Sequence, residues 1–127
     1  MSRYRIPTAS NQYAGVDLQR RFLRQLREEY IDALAPLQEL AQRSNISPAE
    51  AVEALHQLRA ATAEIERLQF AALGAAVLAG ATITDIAART GISRRTLTRH
   101  LASTAARLRG REIVPDPTSP HGWRSRT

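Results

Sequence analysis

The chain has no cysteine and no lysine. Without cysteine there is no disulfide, no thiolate metal ligand and no thiol nucleophile. All 18 basic residues are therefore arginine, whose planar fork binds oxyanions bidentately where lysine offers a point charge. Aromatic residues are scarce (one Trp, three Tyr, two Phe), so any core must be built from aliphatic side chains and alanine. Long apolar runs are missing too: the most apolar stretch, residues 70–81, is too short to span a bilayer and is weakened by alanine. The opening MSRYRIPTAS has no apolar segment of the signal-peptide kind. His56, His100 and His121 stand alone, without partners at ligand spacing, so no metal site and no cofactor are expected. These absences point to a soluble cytoplasmic protein with no membrane role and no evident small-molecule ligand.

What the chain does have is positive charge, unevenly placed. At 127 residues it fits one domain, or a small domain with an extension, and its net charge of +6 favours a polyanionic partner. Residues 16–70 carry seven arginines against nine acids, a net of −2. Residues 89–127 carry nine arginines against Glu112 and Asp116, a net of +7. A polyanion-binding surface in the C-terminal part and a mixed-charge partner surface in the N-terminal part is the natural reading.

The pattern along the chain predicts an all-α fold. Residues 1–15 have few aliphatics and several turn formers, and read as a flexible arm. A long helix is expected from about Asp17, with Leu23, Leu26, Tyr30, Ala33, Leu37 and Leu40 recurring at heptad spacing and Phe22, Ile31 and Leu34 widening the stripe. Pro36 should kink that helix or split it in two. Ser47-Pro48-Ala49-Glu50 is a capping box with proline at the first helical position. The helix it opens keeps its apolar spacing almost to Gly80, with a break near 60–64 or at Gly74 as an alternative to one continuous helix. Residues 16–62 thus form a helical dimerisation region of kinked helix plus capped long helix. After Leu108, residues 110–127 hold prolines, glycines and arginines and read as a flexible basic tail. The alternative is that Ile113 and Val114 form one strand of a wing.

Residues 82–101, TITDIAARTGISRRTLTRHL, carry the most specific pattern. Ile83, Ile86 and Ala87 share one face of a short helix, and Gly91 sits where the chain must turn with positive φ. Ile92 can fill the angle between two helices, and Ser93 caps the second. Leu97 and Leu101 turn that helix inward and leave Arg94, Arg95, Thr98 and Arg99 outside. GISRRTLTRHL after TDIAART resembles the homeodomain-like class of bacterial helix-turn-helix domains, which includes tetracycline-repressor-type regulators and the C-terminal modules of resolvases and invertases. The resemblance implies a three-helix DNA-binding unit over residues 63–109, whose first helix is roughly 63–79. It also implies that the second motif helix lies in the major groove. Here no large ligand-binding domain follows the motif, and residues 1–62 are too short and too helical for a recombinase domain.

On that basis Arg94, Arg95, Thr98 and Arg99 are the candidate base-reading residues. Thr84, Arg89, Ser93, Thr96 and His100 are the candidate phosphate contacts. Arg107, Arg109, Arg111, Arg124 and Arg126 in the tail could add sequence-independent affinity, and Arg3 and Arg5 could enter a minor groove. Trp123 hints at docking on a partner. Glu28, Glu29, Asp32, Glu64 and Glu66 read as ordinary surface ion pairs rather than catalytic carboxylates, and the chain is not expected to be an enzyme. The function this points to is sequence-specific binding of double-stranded DNA by a small homodimeric transcriptional regulator or repressor of the phage, plasmid or actinobacterial kind. The alternatives are a low-specificity architectural or recombination-accessory DNA-binding protein, and a helical protein–protein adaptor.

Overall fold

The computed structural model describes residues 5–127, so Arg3 lies outside the described residues. Four helices dominate: α1 (Ala9–Ala41), α2 (Pro48–Ala79), α3 (Ile83–Thr90) and α4 (Arg94–Leu101). A 3₁₀ turn (Ala105–Leu108) and a two-stranded antiparallel ribbon, β1 (Ile113–Pro115) with β2 (Trp123–Ser125), complete the chain. The fold is thus mostly helical, as the pattern predicts.

The first helix starts eight residues before the expected Asp17. Thr8 is its N-cap: the Thr8 hydroxyl accepts from the Asn11 N–H at 3.1 Å, and the Asn11 side chain accepts from the Thr8 N–H at 3.0 Å. This is a capping box with asparagine in the usual Glu/Gln position. Residues 9–15 are therefore helical rather than part of an arm, and Asp17 is an exposed mid-helix residue. The helix also runs through Pro36 as one element. Proline removes one hydrogen bond there, but the turns on either side remain helical.

At the other end of the α1–α2 hairpin the predicted Ser47 box forms. The Glu50 N–H donates to Ser47 Oγ at 3.2 Å and the Ser47 N–H to Glu50 Oε1 at 3.1 Å. Arg43 reaches back across the turn to Glu50 at 2.6 Å, and these bonds hold the Glu50 carboxyl down at about 2. From this cap α2 runs unbroken to Gly80, which ends it at φ 133°.

The last third of α2 is shared by two apolar clusters. On one side Leu68, Ala75 and Leu78 meet Ala14, Leu18 and Phe22 of α1, together with Leu108 and Ile113. On the other side Val77 packs with Ile86, Leu97, Leu101 and Ala106, flanked by Phe70, Ile83 and Ile92. Small residues allow the close approaches. A Cβ on Gly15 would lie 2.7 Å from Ala79, and one on Gly74 would collide with Thr104.

The C-terminal segment is a packed element, not an extended tail. Ile113 is buried in the cluster around α1, and register pairs Ile113 with Ser125, Val114 with Arg124 and Pro115 with Trp123. The Arg21 guanidinium donates to the His121 carbonyl at 2.6 Å, and Trp123 meets Tyr13 edge to face at 6.3 Å between ring centroids. The ribbon thus rests on α1 and the 3₁₀ turn, and Trp123 is engaged within its own chain.

The buried amide of Asn11 ties this segment down. Its Oδ1 accepts from the Gly110 N–H at 2.7 Å as well as from Thr8, and its Nδ2 donates to the Arg111 carbonyl at 2.8 Å. A single fully buried side chain therefore joins the start of α1 to residues about 100 positions later.

Candidate nucleic-acid interface

The two short helices owe their limits to local chemistry. Thr82 caps α3: its hydroxyl accepts from the Asp85 N–H at 3.1 Å. Gly91 ends α3 in the left-handed region, φ 75°, and donates its N–H to the Ala87 carbonyl at 3.0 Å. Nothing lies within 4 Å of where its Cβ would be, so glycine is required there by the backbone conformation and not by space. Ser93 then caps α4, accepting from the Thr96 N–H at 3.1 Å.

Leu97 and Leu101 are fully buried against α2 and α3, and this fixes how α4 is rotated. At 100° per residue Arg95 and Arg99 fall on the ridge opposite Leu97, with Thr98 on its shoulder and Arg94 at the helix start. Arg94, Arg95 and Arg99 are exposed, Thr98 is half-buried, and none of the four forms an ion pair or hydrogen bond beyond its own helix among the described residues. Arg95 and Arg99 make an anion-binding ridge, and Arg94 adds a third exposed guanidinium at the helix start. The fork of each can satisfy a phosphate or the acceptor pair of a guanine edge.

The candidate phosphate residues are less uniform. Thr84 is exposed in the first turn of α3 and free to donate. Arg89 is also exposed but pairs with Asp85 at 3.1 Å, one turn earlier. Ser93 and Thr96 are bonded to each other, hydroxyl to hydroxyl at 2.9 Å, as part of the cap. His100 lies on the flank of α4 that meets α2, its ring stacked on Phe70 with centroids 4.1 Å apart and planes 7° from parallel. Its first role in the fold is thus packing.

The tail arginines divide in the same way. Arg107, Arg111 and Arg126 have exposed side chains, and Arg124 lies 3.7 Å from Asp116. Arg109 is built into the fold: its guanidinium donates to the carbonyls of Arg5 at 2.6 Å, Val77 at 3.0 Å and Ala81 at 2.7 Å. These are the last turn of α2, the link to α3 and the strand of chain that precedes α1. Reading the chain for charge alone misses this role, as it misses that of Asn11. The only sequence signal for Asn11 is the Thr8-x-x-Asn11 spacing of a capping box.

Of the acidic residues expected in surface ion pairs, Glu64 is paired, with Arg67 at 2.6 Å. Glu28, Glu29, Asp32 and Glu66 form no ion pair among the described residues. A cavity of about 430 Å³ lies between α2, the end of α4 and the C-terminal ribbon, lined in part by Phe22, Arg67, Phe70 and His121. No described helix is long and apolar enough to cross a membrane.

Comparison with curated proteins gives no match, and neither does comparison with solved structures. A family model does match: that of the homeodomain-like domain, over residues 61–109. The matched segment begins in α2, contains α3, Gly91 and α4, and ends at Arg109. Residues 61–109 are thus similar to the homeodomain-like domain, which supports a helix-turn-helix unit of the DNA-binding kind.

Proposed function

We propose that the protein binds double-stranded DNA sequence-specifically as a homodimer and acts as a small transcriptional regulator, with α4 as its reading helix. The observation that carries this is the outer surface of α4, where Arg95 and Arg99 form a ridge opposite the fully buried Leu97–Leu101 face and Arg94 is exposed at the helix start, all three unpaired among the described residues. In a helix-turn-helix the residues near the start of the second helix face base edges. Thr84, Ser93, Thr96 and the backbone N–H groups at the starts of α3 and α4 are the phosphate-side complement. One such unit buries little DNA surface, so two units on paired half-sites are needed for useful specificity. Residues 16–62 supply the dimerisation region. Beyond Tyr30 and before residue 60 the α1–α2 hairpin buries only Ala33 and Ala54, and it leaves Ile31, Leu34, Val52 and Leu55 exposed.

Selection of bound sites from random duplex DNA tests the reading. A palindromic consensus is the expected result, and Arg95→Ala and Arg99→Ala should each relax one or two of its positions while leaving the helical content unchanged. Each arginine that reads a guanine bidentately contributes about 1–3 kcal/mol of discrimination. A featureless pool with strongly salt-dependent affinity would replace this reading with architectural DNA binding. No mobility shift at low salt would remove DNA from the function and leave a helical adaptor.

A further inference from the structure

The helix α1 carries two apolar faces, and α2 covers one of them. Asn11, Ala14, Leu18, Phe22 and Ala33 are buried on that side. On the other side Val16, Leu23, Tyr30 and Leu37 recur at intervals of seven, with Ile31 and Leu34 beside them. Val16 is 53% exposed, Leu23 55%, Ile31 56%, Tyr30 39% and Leu34 37%, and Leu37 is half-buried. The Tyr30 hydroxyl accepts from the Gln69 side chain at 3.2 Å, which fixes this face relative to α2.

Apart from Asp17 near the start of the stripe, the charges on α1 are sorted by position along the helix. Residues 18–27 hold Arg20, Arg21, Arg24 and Arg27 and no acid; residues 28–39 hold Glu28, Glu29, Asp32 and Glu39 and no base. Of these, Arg20, Arg24, Arg27, Glu28 and Asp32 form no ion pair or side-chain hydrogen bond among the described residues. The change of sign falls between residues 27 and 28. The midpoint of the stripe from Val16 to Leu37 is 26.5, almost the same place.

We infer that the uncovered face of α1 is the dimer interface, and that a second copy of this chain packs on it antiparallel with the two-fold axis near residues 26–27. The inference rests on the dimeric reading above and adds its orientation. About that axis Val16 of one copy lies opposite Leu37 of the other, and Leu23 opposite Tyr30, so the stripe is its own complement. The same operation lays the basic half of each helix on the acidic half of the other. A parallel pair would put arginines beside arginines and carboxylates beside carboxylates along the whole helix, whereas the antiparallel pair does so only where the two copies of Arg27 meet at the axis. The arginine stems at positions 20 and 27 flank the stripe and can cover apolar surface there. Along α1 the reading unit packs around Leu18, eight to nine residues from the axis. The two units are then displaced by about 25 Å along the helices, before any sideways offset, at a rise of about 1.5 Å per residue. That is compatible with half-sites about one DNA turn apart.

Because the chain lacks cysteine, single-cysteine variants of the full protein test the orientation directly. Leu23→Cys and Tyr30→Cys are oxidised separately and as a mixture, without DNA, with circular dichroism confirming that each keeps the wild-type helicity. The mixture should give a disulfide-linked dimer in severalfold excess over either variant alone. Two residues at position 23 would sit about seven residues apart along the antiparallel pair, beyond the Cα separation of roughly 7 Å that a disulfide tolerates. Val16→Cys mixed with Leu37→Cys is a second, independent pair. Efficient cross-linking of Leu23→Cys to itself would establish a parallel pair and overturn the proposal. So would a wild-type chain that sediments as a monomer at its highest soluble concentration. A cross-linked antiparallel dimer that fails to bind DNA would leave this inference standing and remove the DNA reading instead.

Discussion

Replacing Asn11 by alanine should release the C-terminal ribbon from the helical body. Asn11 is completely buried, and its amide holds the Gly110 N–H at 2.7 Å and the Arg111 carbonyl at 2.8 Å. It also holds the Thr8 N–H at 3.0 Å. Alanine removes these three bonds and the longer one from Nδ2 to the Leu108 carbonyl at 3.4 Å, leaving the Arg111 carbonyl only the Thr8 hydroxyl at 3.2 Å. The Thr8 N–H sits at a helix start and can turn to water. The Gly110 and Arg111 groups are partly buried and cannot be fully rehydrated without moving the chain. At about 1–1.5 kcal/mol for each of these two bonds, the expected loss is about 2–3 kcal/mol. With a urea dependence of about 1–3 kcal/mol per molar, the midpoint should fall by about 0.7–3 M.

The protein provides its own reporter for this loss. Trp123 is the only tryptophan, and it sits in β2 against Tyr13 of α1. Its fluorescence follows docking of the ribbon, whereas ellipticity at helical wavelengths follows α1 and α2. In Asn11→Ala the fluorescence transition should move to lower urea and precede the loss of helicity. Asn11→Asp should be at least as damaging, since it removes the donor to Arg111 and places a carboxylate beside backbone carbonyls. A midpoint unchanged in both probes would refute the account of Asn11 as the tie between the chain ends.

Three further outcomes follow from the geometry. Gly91→Ala should cost about 1–2 kcal/mol, because φ 75° is strained for a side chain although the site has room, and Gly91→Asn should recover part of it in thermal unfolding. Gly74→Ala should cost more, about 2–3 kcal/mol, because its Cβ would meet the Thr104 side chain and push the segment after α4 off α2. The His121 imidazole is pushed below its usual range by burial first, and then by the Arg21 and Arg107 charges. Its unfolded state therefore takes up the proton more readily, so docking of the ribbon is fully stable above about pH 6.5 and weakens as pH falls below it. Trp123 fluorescence between pH 7 and 5 should show that loss, and His121→Gln should abolish it. An unchanged pH profile in the variant would assign the effect elsewhere.

The parts of the fold legible in the sequence are those whose cause is local. Ser47-Pro48-x-Glu50 closes its box within four residues, and Gly91 and Ser93 set the turn between α3 and α4 by their own conformation and hydrogen bonding. The ridge of α4 was readable for the same reason, since Leu97 and Leu101 determine which side is left outside. What was not legible depends on partners far along the chain. Thr8 and Asn11 look like a polar arm until Gly110 and Arg111 arrive to bond them. The strands of the ribbon have three residues each and a seven-residue connection, so no short-turn signal marks them, and their stability comes from α1. The heptad stripe was visible as a whole, but periodicity alone merged two faces. Ala33 belongs to the side covered by α2, and Leu23 and Tyr30 belong to the side that is not.

The position of Arg109 bears on how the reading unit is held. Its guanidinium binds the carbonyls of Val77 and Ala81, which flank Gly80 at the corner between α2 and α3, and the carbonyl of Arg5 before α1. A helix C-terminus leaves carbonyls without intrahelical partners, and Gly80 ends α2 with no basic residue in its last turn. Arg109 supplies the missing cation from the far end of the matched segment, and one side chain so satisfies the corner on which α3 is aimed. The same bond to Arg5 places the strand leading into α1 beside that corner. The direction in which α3 and α4 project is therefore coupled to Arg5 and, through Thr8 and Asn11, to the start of α1. If α1 is also the surface on which two copies meet, the spacing of two reading helices is transmitted through rigid helix and bonded corners rather than through a flexible linker. A lysine at position 109 keeps the charge but cannot reach three carbonyls with one planar fork, so Arg109→Lys should weaken DNA binding by loosening the aim of α4 while leaving dimerisation intact.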